Sequence, residues 1–113
     1  MWFNTHVHSK HLIAGLLAII TMPVAAVQIR EIPVPHLHDA SIATYDAYGP
    51  VIYYNPRTLK ALGPTISEFV RAHEYAHHML QHMQRENASS DWRTNVTKMR
   101  RSFELEADCY AAK

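Results

Sequence analysis

The chain has 113 residues, with 11 basic and 10 acidic side chains and a formal net charge of +1. This length accommodates one small domain. A nearly neutral chain has no electrostatic reason to bind nucleic acid or an anionic membrane surface, so we expect neither as a partner. Cys109 is the only cysteine, which excludes an internal disulfide as a source of stability.

Residues 1–26 have the pattern of a secretory signal. Lys10 and several histidines precede the apolar run "LIAGLLAII", and Val24 and Ala26 suit a cleavage site after Ala26. The run is shorter than the roughly 20 apolar residues that a membrane span needs. We therefore expect an exported protein, periplasmic or secreted, with a mature domain of residues 27–113. The alternative is an uncleaved segment that anchors the protein at a membrane.

Residues 27–64 predict mainly extended structure. Pro33 and Pro35 favour an extended arm or edge strand over residues 27–40, because proline is tolerated at sheet edges. The sequences "SIATY" and "VIYY" are rich in β-branched and aromatic residues and flank the turn sequence "DAYGP", which predicts a hairpin over residues 41–54. The next segment, "NPRTLKALGP", predicts a turn with a short helical piece.

A longer helix is predicted to start at Thr65. Thr65 and Glu68 match the S/T-x-x-E capping box, which satisfies free amides at a helix start. Apolar residues and histidines then recur at gaps of four, three, four and three, which predicts one inward helical face (Ile66, Val70, His73, His77 and Leu80). If the helix continues through His82, then His78 and His82 point to the flank or to solvent. We expect both to be bystanders.

His73, Glu74 and His77 form the pattern H-E-x-x-H. Two histidines four residues apart on a helix can bind the same metal ion. Glu74 is rotated away from the ligand direction, so it can contact a water at the open position of that ion. Zinc lowers the pKa of such a water to near 7, and a neighbouring carboxylate can take its proton. The alternative is a histidine-rich helix whose inward histidines are hydrogen-bonded core residues.

A second helix is predicted from about Val96 to the end of the chain, with an inward stripe (Val96, Met99, Phe103, Ala107 and Tyr110). Glu104 and Asp108 lie four residues apart beside this stripe. One of the two carboxylates can reach the ion while the other steadies a ligating imidazole. Glu106 lies about 200° from Glu104 and should face elsewhere. Cys109 is expected to be a small buried hydrophobic residue.

The segment "AHEYAHHMLQH" followed by "ELEADCYAA" resembles zinc metallopeptidases of the gluzincin type, namely the M48-type peptidases and the bacterial neutral zinc metallopeptidases. The resemblance implies a minimal zincin-like α+β domain that holds one Zn²⁺ ion through His73, His77 and Glu104. It also implies that Glu74 is the general base and that Asp108 supports a ligand. The strand in "VIYYNP" is then expected beside the cleft, where an extended substrate can pair with its main chain.

The function predicted from these patterns is that of an exported zinc-dependent endopeptidase acting on peptides or unfolded proteins. One alternative is a non-catalytic binding domain stabilised by metal, or a degenerate peptidase. A third possibility is a metal-buffering protein that uses all nine histidines and binds several ions.

Overall fold

The computed structural model describes residues 27–89 and 92–113 as a small α+β fold. Three strands are followed by four helices: β1 (Arg30–Pro33), β2 (Ser41–Asp46), β3 (Gly49–Tyr54), α1 (Pro56–Leu62), α2 (Pro64–Met79), α3 (His82–Ala88) and α4 (Trp92–Ala111). The predicted signal segment, residues 1–26, lies outside the described residues. Among those described, no helix has both the length and the apolar character to cross a membrane.

The sheet has the strand order β1-β3-β2. Strand β1 pairs in parallel with β3 at one edge, which confirms the predicted edge strand. Strands β2 and β3 form the predicted hairpin, with Asp46 opposite Gly49. Gly49 has a φ of +117°, a conformation that glycine adopts without steric cost. Strand β3 is paired on both sides, so a substrate cannot pair with its main chain. The prediction that "VIYY" offers such an edge beside the cleft is therefore wrong. On the side away from β1, the outer strand of this sheet is β2.

Helix α2 lies between the sheet and α4, and it contacts β2 on one side and α4 on the other. Val51 and Ile52 of β3 are fully buried, as are Ala76 of α2 and Ala107 of α4. Alanine occupies little volume, so buried alanines on both helices are compatible with a close approach of the two backbones. The core is small, and α2 is its central element.

The start of α2 differs from the prediction. The helix begins at Pro64 with Gly63 as its N-cap, and no side chain makes a capping hydrogen bond. Proline suits the first helical position because its φ is already helical and its missing N–H is not needed there. Thr65 therefore lies inside the first turn, and the capping-box prediction is wrong. Ile66 is 52% exposed, so the inward stripe does not extend to it.

The end of α2 changes the positions predicted for two histidines. The helix stops at Met79, and Gln81 adopts a left-handed conformation with a φ of +55° before α3 begins at His82. Helical phase therefore does not continue from α2 to His82. His78 is only 6% exposed and His82 only 3%, so the prediction that they face the flank or solvent is wrong.

Helix α4 starts earlier than predicted, but Asn95 interrupts it with a φ of −135° and a ψ of 27°. Its regular portion therefore follows Asn95, close to the predicted start at Val96. Phe103 and Ala107 are buried as expected, whereas Tyr110 is exposed. Cys109 is exposed as well, which contradicts its predicted burial.

Asn55 joins the sheet to α1, and we expect Asn55→Ala to destabilise the fold. Its side-chain oxygen accepts hydrogen bonds from the backbone of Arg57 (3.0 Å) and Thr58 (3.2 Å), and its amide donates to the Leu37 carbonyl (2.9 Å). Losing a buried cap of this kind costs about 1–2 kcal/mol. Urea unfolding measures the loss, and Asn87→Ala, at an exposed position of α3, is the control. Equal stability of the two variants would contradict this role.

Candidate functional site

Three potential ligand atoms of His73, His77 and Glu104 lie within 4.8 Å of one another. The two histidine Nε2 atoms are 2.9 Å apart. Glu104 Oε2 lies 3.0 Å from His73 Nε2, and Glu104 Oε1 lies 3.4 Å from His77 Nε2. Packing of α4 against α2 thus brings the predicted third carboxylate to the predicted histidine pair.

Asp108, one turn after Glu104, contacts the other side of the His73 ring. His73 Nδ1 lies 2.9 Å from Asp108 Oδ1. An ionised carboxylate can only accept a hydrogen bond, so the ring proton of a neutral His73 lies on Nδ1 and its Nε2 carries a lone pair. That lone pair meets His77 Nε2 and the Glu104 oxygens. Such a group of acceptors is stable only with a positive charge between them, either a proton or a metal ion.

Glu74 faces the sheet beside the potential metal-ligand atoms of His73, His77 and Glu104, which together form the donor group. Its Oε1 accepts a hydrogen bond from the Ser41 hydroxyl (3.0 Å), and its Oε2 accepts one from the Ala43 backbone N–H (2.8 Å). Burial raises the pKa of Glu74, while the hydrogen bonds from Ser41 and Ala43 act in the opposite direction. Strand β2 therefore holds this carboxylate in place. No motif in the sequence indicates that Ser41 and Ala43 perform this function.

His82, predicted to be a bystander, contacts His77 of the metal-ligand pair directly. His77 Nδ1 lies 2.8 Å from His82 Nδ1, and His82 Nε2 lies 3.1 Å from Glu106 Oε2. Glu106 faces away from the donor group, as predicted, but toward His82 and Arg85 rather than toward open solvent. Hydrogen bonds from Arg85 and His82 lower the pKa of Glu106 to about 2, so this carboxylate is ionised at neutral pH.

His78 is buried in a different place from the donor group. Its Nε2 lies 3.0 Å from the Val51 carbonyl oxygen, so it binds the central strand, and its ring meets Tyr45 edge-on. His78 is therefore a core residue.

Burial lowers the pKa of His77, which favours the neutral imidazole that a metal ion requires.

The donor group opens into a cleft of about 660 Å³. Strand β2 forms one wall through Ser41–Ala43, and α4 contributes Arg100 and Phe103. His73, Glu74, His77 and Glu104 also line this cleft. The donor atoms and the neighbouring carboxylate therefore face a space large enough for a segment of another molecule.

The family model DUF2201_N, described as "Putative metallopeptidase domain", matches residues 21–111. The match spans most of the chain, so the chain belongs to this family. Comparison of the chain with curated proteins and with solved structures found no significant match. Family membership agrees with the metal-binding geometry and supports a metallopeptidase at this coarse level. The resemblance to M48-type or other gluzincin peptidases stays a prediction.

We expect Ser41→Ala to raise the pKa of Glu74 further in the metal-free protein, because the lost hydrogen bond favours the charged carboxylate. When a carboxyl group has a higher pKa in the folded protein than in the unfolded chain, the free energy of unfolding falls as pH rises from the unfolded pKa to the folded pKa. The variant should therefore lose more stability than the wild type between acidic and neutral pH. Carboxyl-carbon NMR titration and urea unfolding across pH measure both effects.

The matched control is Ser102→Ala, at an exposed position of α4. It should leave the pKa of Glu74 unchanged. An unchanged pKa in Ser41→Ala itself would mean that the Ser41 hydroxyl does not stabilise the Glu74 carboxylate.

Proposed function

We propose that the protein is a zinc-dependent endopeptidase with a zincin-like catalytic domain. The observation that carries the proposal is the convergence of His73, His77 and Glu104 on one point in a cleft that also contains Glu74. The two histidines and Glu74 belong to H-E-x-x-H on α2, and Glu104 comes from the helix packed beside it. Membership of a metallopeptidase family supports the same conclusion.

The donor set suits zinc. Two imidazole nitrogens and one carboxylate are a common ligand set for catalytic zinc, which keeps a fourth position open. Ligand atoms around a tetrahedral zinc ion lie about 3.4 Å apart, given zinc–ligand distances of about 2.1 Å. The corresponding separations here are 2.9, 3.0 and 3.4 Å. Small side-chain movements are enough to reach the required spacing.

His73, His77 and Glu104 would hold the zinc ion, which would supply Lewis acidity for activating water and polarising a peptide carbonyl. Glu74 acts as the general base: a carboxylate oxygen takes a proton from the attacking water and later delivers it to the leaving amine. Ser41 and Ala43 fix the carboxylate during both transfers. Asp108 fixes the ring of His73 by accepting from its Nδ1–H. A raised pKa of Glu74 also suits a group that must both accept and donate a proton.

Strand β2 supports a peptide or an unfolded protein as the substrate. It is the outer strand of the sheet on this side, and its residues Ser41–Ala43 line the cleft. The Ala43 N–H points away from β3 and toward Glu74. Because alternate residues of a strand direct their backbone groups to the same side, those of Tyr45 share this edge. Because Glu74 accepts the hydrogen bond of the Ala43 N–H, an extended substrate segment would pair with the other backbone groups of this edge, the Ala43 carbonyl and those of Tyr45, beside Glu74.

The sequence pattern of residues 1–26 supports export, either to a periplasm or outside the cell. A cleft of about 660 Å³ is compatible with action on unfolded protein, because it has room for a short extended segment. The alternative is a non-catalytic domain that uses metal for stability, and the small core favours a role of this kind for the ion. Measurements of activity distinguish these two functions.

We expect Glu74→Gln to abolish hydrolysis while it retains zinc. The amide cannot take a proton from water, and loss of a general base lowers rates by about 100- to 10,000-fold. Hydrolysis of an unfolded protein and zinc content per chain are measured together. Glu68→Gln, at an exposed position of the same helix, should retain full activity. One zinc per chain with no hydrolysis by the wild type, across several substrates, would favour the non-catalytic domain.

We expect Glu104→Ala to weaken zinc binding by more than the roughly 10- to 100-fold that loss of an outer hydrogen-bonding partner costs, because it removes a ligand. Competition with a chromophoric chelator measures the dissociation constant. Glu68→Ala is the control for the loss of one negative charge on the surface. If both variants retain zinc equally well, Glu104 is not the third ligand.

A further inference from the structure

A line of hydrogen bonds connects His77 to a charged pair outside the donor group. His77 Nδ1 lies 2.8 Å from His82 Nδ1, and His82 Nε2 lies 3.1 Å from Glu106 Oε2. Glu106 accepts two further hydrogen bonds, from Arg85 Nη1 at 2.7 Å and Nη2 at 3.2 Å. The line joins α2, α3 and α4. His82, Arg85 and Glu106 are not among the defined residues of H-E-x-x-H or E-x-x-x-D.

The direction of these hydrogen bonds follows from the carboxylate. Glu106 can only accept, so the facing Nε2 of His82 carries a proton. A neutral His82 then has a lone pair on Nδ1, and the proton between the two Nδ1 atoms must belong to His77. His77 is therefore protonated at Nδ1, and its Nε2 lone pair faces His73 and Glu104. A metal ligand at this position needs the same tautomer.

Packing fixes the His82 ring in this orientation. The ring is nearly fully buried and stacks on Phe103, with centroids 4.5 Å apart and planes inclined by 7°. The left-handed Gln81 directly before it ends one helix and starts the next, so His82 lies beside His77 instead of continuing the phase of α2. Strained backbone of this kind persists when the surrounding structure requires it.

We propose that His82, oriented by Glu106, is a positioning residue that fixes the Nδ1–H tautomer of His77 and directs its Nε2 lone pair at the metal. The proposal rests on the metal centre of the proposed function. His73 receives a carboxylate directly from Asp108. The Nδ1 of His77 has no carboxylate partner among the described residues. It meets Nδ1 of His82 instead, and the opposite nitrogen of the His82 ring is hydrogen-bonded to Glu106.

The test combines zinc affinity with nitrogen-15 NMR of the histidine rings in the metal-free protein. His82→Phe retains an aromatic ring for stacking on Phe103 but removes the hydrogen-bond acceptor. We expect zinc affinity to fall by about 10- to 100-fold, as for loss of other partners of metal ligands. We also expect His77 to lose its preference for the Nδ1–H tautomer. His82→Gln, whose side-chain oxygen can accept the same hydrogen bond, should recover part of both losses.

Glu106→Ala is the second variant, because Glu106 is less buried than His82 and its loss is better tolerated by the fold. It should change tautomer and affinity in the same direction by a smaller factor. The matched control is Glu86→Ala, which removes a different glutamate–arginine pair, with Arg100 (2.9 Å). If Glu86→Ala lowers zinc affinity as much as Glu106→Ala does, the effect is general charge loss and the proposal is wrong.

The outcomes separate this proposal from the proposed function. Wild-type affinity and an unchanged His77 tautomer in folded His82→Phe and Glu106→Ala would overturn the positioning role and leave the peptidase intact. Zinc binding that depends on His82, in a protein without hydrolytic activity, would support the positioning role and reject the peptidase. Absence of zinc binding by the wild type would reject both.

Discussion

The packing of α2 against α4 is the constraint on which the site depends. Helix α2 supplies two imidazoles, but the carboxylate that completes the donor set comes from α4, 27 positions after His77. Fully buried Ala76 and Ala107, one on each helix, are consistent with a close approach of the two backbones. A larger side chain at either position is expected to separate the helices and move Glu104 away from the histidines.

The site concentrates hydrogen-bond acceptors and negative charge in a domain with few buried apolar residues. Such an arrangement is unfavourable without a cation, because imidazole lone pairs and carboxylate oxygens within 3.4 Å repel one another. A metal ion between these atoms attracts each of them and outweighs their mutual repulsion, and the free energy of its binding adds to that of folding. The same residues can therefore support both stability and chemistry in a small domain whose single cysteine allows no internal disulfide.

Strand β2 and helix α3 supply the contacts that sequence motifs do not describe. Strand β2 holds Glu74 through Ser41 and Ala43, and α3 places His82 against His77. Each predicted metal ligand on α2 has a partner on its second nitrogen, an aspartate for His73 and a histidine for His77. The geometry of the centre therefore depends on contacts among four elements, β2, α2, α3 and α4.

The sequence by itself determined the local features: the hairpin, the edge strand, the helix that carries H-E-x-x-H, and the four-residue spacing of Glu104 and Asp108 on the second helix. These follow from hydrophobic periodicity and from four-residue spacing, which act within one element. Tertiary structure decided the roles of His78 and His82, because α2 ends at Met79 and a left-handed Gln81 breaks the helical phase. It also decided which strand borders the cleft, because only pairing with β1 makes β3 central. Contacts between elements depend on how helices and strands pack in three dimensions, and residue spacing along one helix or strand does not specify that packing.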